Sequence, residues 1–154
     1  MIDTPQIIQT VEQHTVFIHL TVTCEEMQQV FGPTIGELMT ALGAQGVTPA
    51  GPVFAHHLRH PTDTFDFELS VPVAAPVTAA GRMEPGTWPS QPAARTSYHG
   101  PYEGLPGAWG EFMAWIAANG HTSAPDLYEA YVTGPHSSPD PADWRTEFTR
   151  PLIG

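Results

Sequence analysis

The sequence predicts an α+β fold in which a βαββ unit occurs twice, in pseudo-two-fold symmetry, making antiparallel sheet with helices on one face. Two observations carry this. The segments "GELMTALGAQGVTPAGPVFAHHL" (36–58) and "GEFMAWIAANGHTSAPDLYEAYV" (110–132) each run helix pattern, glycine stop, strand pattern. At a constant offset of 74, Gly36, Glu37, Met39, Gly46 and Phe54 meet Gly110, Glu111, Met113, Gly120 and Tyr128. Further on, "FDFELSVPV" (65–73) meets "WRTEFTRPL" (144–152) at an offset of 79, aligning Glu68 and Pro72 with Glu147 and Pro151. The five-residue difference falls in "GPHSSPDPAD" (134–143), a Pro/Ser/Asp-rich loop in which insertion costs little.

The elements follow in order. "TVFIHLTV" (15–22) is rich in β-branched and aromatic residues and reads as the opening strand. Ile35, Leu38, Met39 and Leu42 recur at helical spacing, which predicts a helix over 33–44 ended by Gly43 or Gly46. Strands over 53–59 and 64–73 complete the first unit; in the latter Phe65, Phe67, Leu69 and Val71 alternate with Asp66, Glu68 and Ser70. The second unit repeats the order: a strand over 93–99, a helix over 104–118 with Trp109, Phe112, Met113 and Ile116 on one face, then strands over 126–133 and 144–152. One domain, 1–154, is expected, with repeat 1 at about 5–74, a Pro/Gly-rich linker at about 75–92 and repeat 2 at about 93–154. Within the linker, Val77 and the 83–88 stretch are apolar enough to dock.

Charge narrows the function. The net charge is −11, and all five basic residues are arginines, so the chain repels nucleic acid and anionic membrane at long range and attracts small cations. No apolar run reaches the length of a membrane span, and "MIDTPQIIQT" has neither the basic nor the apolar segment of a secretory signal. One cysteine, Cys24, excludes an internal disulfide. These features predict a cytoplasmic protein without direct nucleic-acid or membrane contact. No cofactor motif is present. In "HHLRH", His56 and His57 point to opposite faces of a strand, so at most one joins His60, and no metal site is expected.

Three ordered patterns carry a family resemblance: His-Gly-Pro-Tyr (99–102) leading into an aromatic helix, Glu-x-Tyr (129–131) on a strand, and Thr-Glu with Pro four residues after the Glu (146–151). With "FDFELSVPV" in the first half, they resemble a GyrI-like effector-binding domain, found at the C-terminus of some AraC- and MerR-class transcription regulators and also free-standing. The resemblance implies a duplicated βαββ fold with a central cleft between the repeats that takes amphipathic aromatic, often cationic, small molecules. No helix-turn-helix segment flanks the domain, so the free-standing form is expected, with a protein partner left open.

On this reading Glu129 is the anchoring residue. Period 2 puts it on one strand face with Tyr131, and a carboxylate held in an apolar cleft raises its pKa or finds positive charge. The repeat has Ala55 and His57 at the matching positions, so one carboxylate is expected and the cleft is asymmetric. Tyr98 and Tyr102, flanking the Gly-Pro turn, Trp109 and Phe112 on the helix, Trp144 before the last strand, and His57 are the other candidate ligand contacts. Glu147, like its mate Glu68, reads as structural.

Three functions fit these residues. The first is multidrug-type binding as a sensor or sequestering protein. The second is a hydrolase opening electrophilic cyclopropane rings of DNA-alkylating natural products, with Glu129 as general base and Tyr131 or Tyr98 polarising the substrate. The third, implied by the family name, is inhibition of a larger enzyme.

Overall fold

A computed structural model of the chain describes residues 2–59, 62–134 and 138–153. His60 and part of the predicted insertion loop, 135–137, lie outside the described residues. In chain order the elements are β1 (Gln6–Gln9), β2 (Gln13–Thr23), α1 (Cys24–Ala44), β3 (Phe54–His57), β4 (Thr64–Pro72), β5 (Glu84–Trp88), β6 (Pro92–His99), α2 (Leu105–Ala118), β7 (Thr122–Ser123), β8 (Leu127–Thr133) and β9 (Arg145–Ile153). They form two compact units, 11–90 and 1–10 with 91–154. Each unit contains the predicted βαββ core, and the fold is α+β with antiparallel pairing within each unit.

In unit 11–90 the sheet order is β5-β2-β4-β3. β2 buries Val16, Ile18 and Leu20, β4 buries Phe67, Leu69 and Val71, and α1, which packs on both strands, buries Leu38 and Leu42. In the other unit the order is β1-β6-β9-β8, with the short β7 added to the end of β9. Here α2 buries Trp109, Phe112 and Ile116 with Ala94, Tyr98, Leu127 and Phe148.

The duplication extends to individual backbone bonds. Gly46 and Gly120, matched at offset 74, both take positive φ, +69° and +78°, the conformation that ends a helix at a glycine. Val47 N–H donates to Leu42 at 3.0 Å, and His121 N–H donates to Ile116 at 3.1 Å. Ala50 N–H donates to the Pro72 carbonyl and Ala124 N–H to the Pro151 carbonyl, both at 2.8 Å.

Three elements depart from the expectation. Helix α1 begins at Cys24 rather than near 33, because Thr23 and Glu26 form a capping box: Glu26 N–H donates to Thr23 Oγ1 and Thr23 N–H donates to Glu26 Oε1. Pro33, which resembles a first-turn proline, lies inside the helix. The linker supplies strand β5, and its Val77 and Met83 are buried. Residues 1–10 group with the C-terminal unit, where β1 pairs with β6. Each short strand therefore precedes one βαββ core in sequence and completes the sheet of the other.

Thr23→Ala tests the helix start. It removes one partner of the capping box and should lower unfolding free energy by about 1 kcal/mol. Chemical denaturation measures this, and a variant as stable as the wild type would contradict a helix beginning at Cys24.

Candidate functional site

Strand β8 explains why an acid sits between two tyrosines. Its odd positions, Leu127, Glu129 and Tyr131, share the sheet face that packs under α2, because Glu129 lies opposite Phe148 and Leu127 and Phe148 belong to the helix-side core. Glu129 is only 8% exposed. Its carboxylate accepts a hydrogen bond from Trp109 Nε1 at 2.5 Å on one oxygen and from Tyr131 Oη at 3.2 Å on the other. Both donors are neutral. They stabilise the carboxylate without neutralising it.

The indole that makes the first of these bonds is fixed by stacking. Trp109 lies on Phe148 with ring centroids 4.3 Å apart and planes 9° from parallel, and Phe112 tilts against the Trp109 ring at 5.6 Å. The turn before α2 is shaped round Tyr98. The Tyr98 hydroxyl donates to the Pro101 carbonyl at 2.8 Å, Gly100 takes φ +136°, and a side chain at Gly104 would collide with the Tyr98 hydroxyl. Gly100 N–H also donates to the Trp144 carbonyl at 3.0 Å, tying the turn to the start of β9. Tyr102, next along the turn, then meets Tyr131 edge-on at 6.0 Å and Trp144 at 5.1 Å. Trp144 is oriented by its own Nε1–H, which donates to the Ser138 carbonyl at 2.9 Å.

The field of the acid is felt by both phenols. Tyr131 keeps part of its surface exposed, yet burial around its hydroxyl pushes its pKa well above the ordinary tyrosine value, with the charge and hydrogen bond of Glu129 adding to the shift. Tyr102 is raised too, first by burial and then by the charge of Glu129.

Five of the expected residues thus come together: Glu129, Tyr131, Trp109, Tyr102 and Trp144. Tyr98 and Phe112 are core residues at 5% and 0% exposure, packed with Phe148, and they support the site from behind. His57 belongs to the other unit, buried on β3 with its ring 5.9 Å from Phe65 and 5.3 Å from Phe67. Of the other histidines in that motif, His56 meets Glu68 at 3.2 Å and His60 is outside the described residues. Among the described residues no three His, Cys, Asp or Glu side chains converge as metal ligands, and no helix is long and apolar enough to cross a membrane. Glu147 lies 3.5 Å from the Arg95 guanidinium. Sequence reasoning overlooked Phe148, although the alternation in "TEFTR" offers it as the partner of the aromatic helix.

The α+β repeat that carries this buried acid is that of a small-molecule-binding domain. The family is specific: the GyrI-like small molecule binding domain matches residues 3–152, and the chain belongs to it. Among solved structures, the chain is similar to the EcmrR C-terminal domain, with a TM-score of 0.86 at 21% identity, covering 97% of each chain. It also matches EcmrR in its complex with DNA (TM-score 0.83, 22% identity), covering 97% of this chain but spanning 57% of that one. SAV2435 bound to tetraphenylphosphonium is similar with a TM-score of 0.67 at 14% identity, over 99% of this chain and 95% of that one. At these identities the likeness establishes the fold. No curated protein matches the chain in sequence.

The coupled phenols are open to spectroscopic titration. Tyr131 and Tyr102 should form phenolate later than an ordinary tyrosine, whose pKa is 10.0. Glu129→Gln should move Tyr102 part of the way back, since burial remains. Because the folded pKa of Tyr131 is raised, its contribution to stability is complete below about pH 10 and is lost as the pH climbs past that value. Phenolate absorbance unaffected by the substitution would contradict the contact.

Proposed function

We propose that this domain binds amphipathic aromatic cations at the Glu129 face of its C-terminal unit and acts as a drug sensor or sequestering protein. The carrying observation is the buried carboxylate, held by the Trp109 indole and the Tyr131 phenol beside the rings of Tyr102 and Trp144. Such a group is set in place before a ligand arrives. A cation that reaches it gains electrostatic attraction in partly desolvated surroundings, where charges interact more strongly than in water.

Magnitudes indicate which interactions dominate. A micromolar complex needs about 8 kcal/mol. Two or three ring contacts supply about 0.5–2 kcal/mol each. The larger share falls to apolar burial and to the charge at Glu129. Few directional hydrogen bonds are demanded, so varied flat cations satisfy the same face. The net charge of −11 favours their approach. That SAV2435, a protein of similar fold, is bound to tetraphenylphosphonium supports a cationic ligand class.

The hydrolytic alternative uses the same acid and is less well supported. Each Glu129 oxygen already accepts a hydrogen bond, from Trp109 or from Tyr131. Lone pairs so engaged are less ready to take a proton from an attacking water.

Rhodamine 6G, a cationic dye, should bind at micromolar concentration by fluorescence anisotropy. Glu129→Gln should weaken it by about tenfold or more, the cost of losing one charge-assisted contact, with much less effect on an uncharged xanthene dye. Equal loss for both dyes would remove the countercharge role.

A further inference from the structure

On the Glu129 face, the Thr146 hydroxyl makes no hydrogen bond among the described residues, although Thr146 is completely buried. It lies directly opposite Tyr131 on β8 and opposite Tyr98 on β6, so its side chain shares their face of the sheet. Neither phenol serves it: the Tyr98 hydroxyl donates to Pro101 and the Tyr131 hydroxyl to Glu129. A buried hydroxyl without a partner costs stability, and valine would fill the same space without that cost. Its place beside the site gives it a use.

Glu129 precedes Tyr131 by two residues, which makes Thr146 and Glu129 diagonal neighbours, roughly 7–8 Å apart across the two strands. The ladder loses its register just beyond, between Tyr131 and Thr133, a strand irregularity of the kind that re-aims side chains next to binding sites. Tyr131 is the half-buried side chain at that point, and its bond to Glu129 is a long 3.2 Å. A ligand that displaces the Tyr131 phenol from Glu129 uncovers the carboxylate oxygen and the neighbouring hydroxyl together.

We infer that Thr146 is a second polar anchor of the site, accepting a hydrogen bond from an N–H of a cation whose charge is held at Glu129. The inference rests on the cation-binding reading above and narrows its substrate class. Aryl-amine and amidine cations bearing N–H are favoured over onium ions whose charge is wrapped in carbon.

A matched pair of dyes tests it. Pararosaniline and crystal violet share a triarylmethyl cation, but the first carries N–H groups and the second has every nitrogen methylated. Thr146→Val should weaken pararosaniline by about tenfold relative to crystal violet, the scale of one hydrogen bond to a charged group, and Thr146→Ser should recover most of the loss. Without dye, Thr146→Val should melt no lower than the wild type. Equal loss of both dyes would mean that shape and not the hydroxyl matters, which overturns the assignment. A lower melting temperature with both affinities unchanged would mean that the hydroxyl serves the fold, which overturns it as well. If neither dye binds the wild type, the cation reading falls and takes Thr146 with it. If Glu129→Gln weakens both dyes while Thr146→Val alters neither, the cation reading stands and only the Thr146 anchor is lost.

Discussion

The Glu129 carboxylate, held under a helix by one indole and one phenol, is the interaction around which the C-terminal unit is arranged. Burying an ionised acid is expensive unless donors meet it in good geometry. The nearby features provide that geometry. The parallel stack of Trp109 on Phe148 fixes the indole; Phe112 packs against both of those rings; and the glycine turn round Tyr98 sets Tyr102 against Tyr131 and Trp144. Tyr98 and Phe112, which their chemistry also offers as ligand contacts, are buried and packed with Phe148 in the core of the unit.

The repeat shows what the acid adds to the scaffold. The two units share strand order, helix stops and even the carbonyl partners of Ala50 and Ala124. At the positions of Glu129 and Tyr131, the first unit has Ala55, fully buried, and His57, packed on Phe65 and Phe67. An arrangement without an acid therefore satisfies the same backbone. The buried acid belongs to one copy of the unit, so the two copies differ in chemistry at this position.

Much of this was legible in the sequence because it rests on local periodicity. Alternation in 126–133 and 64–73 gave the strands and put Glu129 and Tyr131 on one face, and the constant offset of 74 gave the duplication. What escaped was non-local or ambiguous. Pro33 reads as a helix start, so the capping box ten residues earlier at Thr23 was passed over. The partners of β1 and β5 are exchanged between cores, which no local pattern reports. Trp109 is both core and site: its ring is packed while its Nε1–H faces the acid, a division within one side chain that a helical stripe does not reveal. Sequence alone offers Glu129 a raised pKa or a positive charge, and the neutral donors Trp109 and Tyr131, one of them twenty residues away, escape it.

The indole N–H of Trp109 reports on the central interaction directly. Of the four tryptophans in the chain, this one should show a proton resonance shifted far downfield by its bond to a carboxylate, assigned by its loss in Trp109→Phe. The account predicts that the resonance moves much further when an aromatic cation is added than with an uncharged analogue at equal concentration. An ordinary indole shift, indifferent to either compound, would contradict it.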